Sequence, residues 1–149
     1  MPINTFYNEI LTEHNLHPIY KHAIDNANFM LEGINPSCGD DIVLQLYVDD
    51  QGIIRDGGYV GDGCAISQAS ADMMLDLVLG RSKEEAQRLA DIFMRMIKDR
   101  SSLTEEEMDE LEEASSLQDI AHMPSRVKCA VLGWRTMNEI IEKMNEAIQ

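Results

Sequence analysis

The sequence predicts a single domain in which a strand hairpin is followed by helices. Two stretches of the first half alternate apolar and polar residues and are separated by a turn, which predicts an antiparallel hairpin. Three later stretches repeat apolar residues at three-to-four spacing and a fourth opens with a helix-capping signature, which predicts helices. A chain of 149 residues has the length of one domain.

The first part of the chain predicts one helix and the strands. A short amphipathic helix is expected at residues 5–13, and residues 14–27, which a proline interrupts, are expected to form a linker. A first strand is predicted at residues 29–34, and the two strands of the hairpin at 41–49 and 53–60. Three histidines are expected at the surface or in the linker: His14, His17 and His22.

The remainder of the chain predicts helices. One helix is expected at residues 66–79, and a capping signature at residues 82–85 opens the next. The same signature at residues 104–107 begins a segment rich in carboxylates, which we interpret as a solvated face rather than a metal-binding cluster. Pro124 suits the first turn of a last helix that ends near Ile148. The expected core residues of the second and last of these helices are Ala86, Leu89, Ala90, Phe93, Met96, Ile97, Ala130, Val131, Trp134, Met137, Ile141 and Ile148.

The charge and the cysteine count of the chain limit its partners and its compartment. Its 27 acidic and 12 basic side chains give a net charge of -15. This charge disfavours nucleic acid, which is bound through lysine and arginine, and favours a partner that presents basic residues. No apolar run approaches the roughly 20 residues that cross a bilayer, so no membrane partner is expected. Three cysteines without a leader sequence disfavour a disulfide framework, and we expect a cytoplasmic protein.

Three cysteines and one aspartate are the candidates for chemistry. Cys38 precedes the outgoing strand of the hairpin and Cys64 follows the returning one, so both thiols are expected at the same end of the sheet. Counting about 100° per residue places Cys129 off the core face of the last helix, and it also turns Cys64 away from the apolar stripe of its helix. With Asp40, the three thiols would supply the four ligands of a tetrahedral zinc site. Their spacing is not that of a zinc ribbon, so three unrelated buried thiols are the alternative.

Three blocks around these residues resemble the signature of a known family. They read NPSCGD at residues 35–40, GDGCAIS at 61–67 and RVKCAVLGW at 126–134. In this order they resemble the iron-sulfur cluster assembly family of IscU and SufU type, which is NifU N-terminal-like, and the resemblance covers nearly the whole chain. It implies an α+β fold in which about four to five helices pack on one face of a small three-stranded antiparallel sheet. It also implies that the three cysteines and the aspartate gather at one exposed end.

Two features resemble the SufU branch of this family more than the scaffold branch. Lys128 stands where the scaffold branch has a histidine, and residues 103–122 resemble the acidic insertion of the SufU branch. That branch is understood to hold zinc, to accept persulfide sulfur from a pyridoxal phosphate-dependent cysteine desulfurase of SufS type, and to serve downstream cluster-assembly proteins. The resemblance implies four zinc ligands: Cys38, Asp40, Cys64 and Cys129.

The resemblance also suggests which thiol captures sulfur. Cys38 fits this role because a loop cysteine can leave the metal, whereas the other two thiols are held by helices. Arg126 and Lys128 could dock the incoming sulfur or belong to plain surface, and His122 precedes the last helix and is not assigned as a ligand. As an enzyme, the protein would be at most a zinc-dependent sulfurtransferase. Two other functions stay open: a scaffold for a transient iron-sulfur cluster, and a structural zinc module for protein interaction.

Overall fold

Three strands and five α-helices make up residues 9–148, the part of the chain that the computed structural model describes, with side chains described for residues 9–146. Helix α1 spans Glu9–Leu16, and the strands are β1 Phe29–Asn35, β2 Asp40–Val48 and β3 Ile54–Asp62. The later helices are α2 Ala65–Val78, α3 Lys83–Lys98, α4 Glu105–Glu110 and α5 Pro124–Ile148. Short 3-10 helices span Arg100–Ser102 and Glu112–His122.

The strands form one antiparallel sheet in the order β1-β2-β3, which confirms the predicted hairpin and first strand. Asn35 pairs with Asp40, and Asp41 pairs with Asp62. The turn between β1 and β2 and the end of β3 therefore lie at the same end of the sheet. The inner face of β2 is buried against the helices and consists of Ile42, Leu44, Leu46 and Val48. The predicted α+β class, with helices on one face of a small sheet, is confirmed.

Helices α2 and α5 pack together beneath the sheet, and α3 packs against α5. The Phe93 ring of α3 stacks on Trp134 of α5 with ring centroids 4.2 Å apart, and the indole N–H of Trp134 donates to Ser70 Oγ at 3.0 Å. The predicted core residues of α3 and α5 are buried, except that the Ile148 side chain lies outside the described residues. Within residues 9–148, no helix is long and apolar enough to cross a membrane.

The N-terminal helix corrects one expectation from the sequence. Helix α1 extends through His14, which is 6% exposed, so the prediction that His14 lies at the surface or in a linker is wrong. Its imidazole is buried because two carboxylates satisfy both ring nitrogens, Asp72 at Nδ1 and Glu113 at Nε2, each at 2.7 Å. His17 and His22 are exposed as predicted, and predicted helix residues 5–8 lie outside the described part of the chain.

The acidic segment at residues 103–122 is part of the packed structure. The Thr104 hydroxyl accepts from the Glu107 N–H at 3.1 Å, and the Glu107 carboxylate accepts from the Thr104 N–H at 3.0 Å, which confirms the predicted capping box. Its carboxylates are largely exposed as predicted, and two of them pair with arginines of α3, Glu107 with Arg95 and Glu110 with Arg88. The apolar residues of the segment are buried: Leu103, Met108, Leu111, Ala114, Leu117 and Ile120.

Candidate metal centre

Asp40, the first residue of β2, is held in place by neutral hydrogen-bond donors. Its side chain is buried, and Oδ1 accepts from the Cys64 backbone N–H at 2.8 Å and from Ser67 Oγ at 3.1 Å. Its Oδ2 accepts from Asn35 Nδ2 at 3.1 Å. Burial acts to raise the pKa of Asp40, but these bonds and the neighbouring Cys129 thiol hold the pKa below its ordinary value. Asp40 is therefore a charged and fixed oxygen donor at neutral pH.

Cys64 is the N-cap residue of α2, and this confirms its predicted position at a helix start. Its Sγ accepts from the Ser67 backbone N–H at 3.4 Å. Gly63 permits this close packing, because a Cβ at that position would lie 2.4 Å from Ser67 Oγ and 3.1 Å from Asp40 Oδ1. A cap residue lies outside the helix. The direction of the half-buried Cys64 side chain is therefore set by the cap geometry and not by the helical periodicity of α2.

Cys129, near the start of α5, is fully buried, so the prediction that it lies off the core face is wrong. Its Sγ donates to Cys38 Sγ at 3.0 Å and accepts from Asn35 Nδ2 at 3.6 Å. The turn between β1 and β2 thus covers a second side of α5, beyond the apolar stripe. Burial raises the pKa of the Cys129 thiol, and hydrogen bonds with Cys38 and Cys64 raise it further.

Cys38 is the thiol of the turn between β1 and β2, and it is half-buried. Its backbone N–H donates to the Asn35 carbonyl at 3.3 Å, and its Sγ is 3.8 Å from the Ser125 carbonyl oxygen, to which it donates. Gly39 has a φ of 72°, a left-handed conformation that lets the chain turn sharply between Cys38 and Asp40. The two side chains on either side of this glycine can therefore face one point.

The sulfur and oxygen atoms of these residues form a donor cluster. The ligand atoms of Cys38, Asp40 and Cys129 lie within 4.8 Å of one another. Zinc at about 2.3 Å from sulfur and 2.0 Å from oxygen would separate tetrahedral sulfur and oxygen ligands by about 3.5 to 3.8 Å, so small shifts would close the cluster around such an ion. Cys64 is not in this group of three, but its N–H is bonded to Asp40 and its thiol interacts with Cys129. The prediction that Cys38 and Cys64 lie at the same end of the sheet is confirmed, and the ligation of a metal by the four residues stays a prediction.

The donor cluster opens to solvent beside the start of α5. A cavity of about 390 Å³ borders Cys38, and a smaller one of about 150 Å³ borders Cys64. Arg126 lines both cavities, and Lys128 lines the larger one. His122 ends the 3-10 helix that precedes α5 and does not belong to the group of ligand atoms. A negatively charged reactant that approaches Cys38 therefore passes two basic side chains.

Two residues that hold the donors were not identified from the sequence. Asn35 and Ser67 are buried, and they donate to the two oxygens of Asp40. Both lie inside the quoted sequence blocks, but we assigned them no role. The available signals were local: Asn35 stands directly before the proline of the turn, and Ser67 stands three residues after the cap residue Cys64. Such outer residues orient the ligands of metal sites.

Comparison with known proteins identifies relatives along the whole chain. Residues 6–148 match the model of the NifU-like N terminal domain. The chain is 37% identical over 145 residues to the iron-sulfur cluster assembly scaffold protein IscU of Streptococcus pyogenes serotype M1, and the match covers 97% of this chain and 88% of that protein. It is 30% identical over 141 residues to the zinc-dependent sulfurtransferase SufU of Bacillus subtilis, with 95% and 92% of the two chains covered.

A solved structure agrees with these matches. The crystal structure of FiSufU, described as an iron-sulfur cluster assembly scaffold protein for the SUF system of Fervidobacterium islandicum AW-1, superposes with a TM-score of 0.82 at 31% identity. The match covers 91% of this chain and 96% of that chain. Fold, sequence blocks and overall identity agree along nearly the full length. The chain therefore belongs to the NifU-like N terminal domain family, of the IscU and SufU type.

Proposed function

We propose that this protein takes part in iron-sulfur cluster assembly as a zinc-bound sulfur acceptor that receives persulfide sulfur from a cysteine desulfurase. The observation that carries the proposal is the cluster of Cys38, Asp40 and Cys129 ligand atoms within 4.8 Å, with Cys64 beside it. The similarity to the zinc-dependent sulfurtransferase of Bacillus subtilis supports the same function. Downstream cluster-assembly proteins would then receive the sulfur.

The donor set fits zinc, which four-coordinate sites of thiolate and carboxylate bind readily. When bound, zinc supplies the positive charge that keeps the thiols deprotonated. Asn35 and Ser67 hold Asp40 through hydrogen bonds and so fix the oxygen donor. The residues that would hold the ion are Cys38, Asp40, Cys64 and Cys129.

The sulfur-transfer step takes place at Cys38. Its thiolate attacks the outer sulfur of the donor's persulfide, one S–S bond forms to Cys38, and the donor's own S–S bond breaks to leave the donor cysteine as a thiolate. The exchange needs no added oxidant or reductant. Cys38 suits this role because it borders the 390 Å³ cavity, whereas Cys129 is buried. The positive charges of Arg126 and Lys128 at this cavity favour the anionic persulfide.

Elemental analysis and a transfer assay test the proposal. We expect the protein as purified to contain zinc and to acquire labelled sulfur from a cysteine desulfurase that is given labelled cysteine. The Cys38→Ser variant should acquire none, whereas Ser37→Ala, a neighbour that lines the same cavity, should acquire it as the wild type does. Absence of zinc, or labelling of the Cys38→Ser variant, would contradict the proposal.

The second candidate function is a scaffold that holds a transient iron-sulfur cluster. It is favoured by the similarity to the scaffold protein IscU of Streptococcus pyogenes, and cysteine thiolates also bind such clusters. The same elemental analysis separates the two functions. Iron and sulfide with a visible chromophore would favour the scaffold, and a colourless zinc protein would favour the sulfur acceptor.

A further inference from the structure

The side of the sheet that faces away from the helices carries apolar and acidic side chains next to the thiols. The register places Glu32 beside Val43 and Ile34 beside Asp41, and Asp41 also pairs with Asp62. These residues therefore form one continuous patch across the three strands. We call it the outer sheet face and define it by Met30, Glu32, Ile34, Asp41, Val43 and Asp62.

The apolar part of the outer sheet face is unusually open. Four large apolar side chains among residues 9–146 are more than half exposed, and two of them, Met30 at 61% and Ile34 at 56%, lie on strand β1. Val43, beside them on β2, is partly exposed. Neighbouring exposed apolar side chains beside a reactive group are typical of a protein-protein contact.

The acidic part of the outer sheet face does not stabilise the isolated protein. The register makes Glu32 and Asp41 diagonal neighbours on the same face of β1 and β2, and the proximity of Asp41 raises the pKa of Glu32 above its ordinary value. Like charges that are neighbours across strands are unfavourable. The basic residue of the three strands, Arg55, pairs with Asp49 at the other end of the sheet. A basic group from a partner would relieve the repulsion, whereas a second copy of this acidic face would increase it. The negative charge of the outer sheet face therefore favours a partner with basic residues and disfavours self-association.

The outer sheet face is continuous with the thiol site. Ile34 and Asp41 are the chain neighbours of the site residues Asn35 and Asp40. A stable interface covers about 800 Å² on each partner, which corresponds to a disc of roughly 16 Å radius. A protein that delivers sulfur to Cys38 must cover the surface around it, so its footprint reaches this face.

We propose that the outer sheet face is the docking surface for the cysteine desulfurase, which contacts it through basic residues around an apolar centre. This inference rests on the proposed function. According to this inference, two different surfaces beside Cys38 bind the persulfide and the protein that carries it. The basic side chains of α5, Arg126 and Lys128, attract the anionic persulfide, and the acidic sheet face binds the protein that carries it.

Two pairs of matched variants test this docking surface. Ile34→Ser removes an exposed apolar side chain, and its control is Leu16→Ser on α1, where Leu16 is 64% exposed. Glu32→Lys reverses a charge, and its control is Glu142→Lys, an exposed position of α5 that lies about 20 Å beyond Cys129 at 1.5 Å per residue. The desulfurase is assayed with cysteine at increasing concentrations of each protein. We expect both test variants to raise the half-saturating concentration about tenfold with an unchanged maximal rate, and both controls to match the wild type.

The outcomes separate this inference from the proposed function. If the wild type accepts sulfur and both test variants saturate at the wild-type concentration, the docking surface is wrong and the function stands. Calorimetric titration of the Cys38→Ser protein into the desulfurase measures docking without sulfur transfer, and it should show the same tenfold loss when Glu32→Lys is added. Equal binding with and without Glu32→Lys would overturn the inference. Melting temperatures of Ile34→Ser and Glu32→Lys that are not below the wild-type value verify the fold, because both side chains are exposed and Glu32→Lys also removes a carboxylate repulsion.

Discussion

His14 shows how one buried side chain joins distant parts of the chain. It lies on α1, its Nδ1 binds Asp72 of α2, and its Nε2 binds Glu113 of the segment 103–122. The hydrogen bond to Asp72 raises the pKa of His14, and burial acts in the opposite direction. The hydrogen bond to Glu113 raises the pKa further, so the resulting pKa is about 9 instead of the ordinary 6.5. At neutral pH the imidazolium is therefore protonated and donates from both nitrogens.

The raised pKa predicts how the stability depends on pH. Because His14 binds a proton more tightly when folded, its contribution is complete below pH 6.5 and is lost as the pH rises through about 9. We expect His14→Ala to lower the free energy of unfolding by about 2 kcal/mol at pH 6, and by clearly less at pH 10. Urea unfolding at both pH values measures this. His17→Ala, at an exposed site, is the control, and an equal loss from His14→Ala at both pH values would contradict the prediction.

Asn35 supports a second prediction at the scale of one residue. Its amide donates to both Asp40 Oδ2 and Cys129 Sγ, so it positions two donors at once. We expect Asn35→Ala to lower the affinity for zinc by about 10- to 100-fold, measured by competition with a chromophoric chelator. Asn15→Ala, at an exposed position of α1, is the control. Equal zinc affinity of the Asn35→Ala and wild-type proteins would show that Asn35 does not position the donors.

At the scale of elements, the segment 103–122 is attached to the domain in two ways. Its apolar side chains are buried against the helices, and its carboxylates pair with arginines of α3 at the surface. Exposed ion pairs are screened by water and contribute about 0 to 1 kcal/mol, whereas burial of a leucine contributes more. Apolar burial therefore dominates the attachment.

Two substitutions compare these contributions. Leu117 is 2% exposed, and we expect Leu117→Ala to lower the free energy of unfolding by about 2 to 5 kcal/mol because it leaves a cavity. Arg88→Gln breaks the ion pairs with Glu85 and Glu110, and we expect it to cost less than about 1 kcal/mol. Urea unfolding of both variants measures the difference. Equal losses would show that the ion pairs hold the segment as strongly as the apolar contacts do.

The sequence predicted the elements well because their signals are local. Apolar alternation located the two strands of the hairpin, Thr104 and Glu107 form the expected capping box, and Pro124 begins the last helix. The errors concern long-range contacts. Cys129 is buried by Cys38, 91 residues away, and His14 by carboxylates 58 and 99 residues away. Helical spacing describes one face of one helix, so it could not show that a turn covers a second face.

At the scale of the molecule, the proposed zinc links stability to the site. An ion that binds the folded chain and not the unfolded chain raises the melting temperature by mass action. We expect a strong chelator to lower the melting temperature, and acidification to lower it as well, because the ligands must be deprotonated. Calorimetry with and without chelator measures this. Asp40→Ala should melt at a lower temperature and respond less to chelator, and a wild-type melting temperature that chelator leaves unchanged would contradict the prediction.

The contact between Cys38 and Cys129 has a consequence for biosynthesis. A ribosome makes Cys38, Asp40 and Cys64 early, whereas Cys129 belongs to the last helix. Synthesis proceeds from the N-terminus, so the hairpin leaves the ribosome before the last helix exists. The nascent chain then carries three of the proposed ligands without the fourth. Only the docking of α5 brings Cys129 to the other three proposed ligands, so the full set can assemble only after synthesis has passed residue 129.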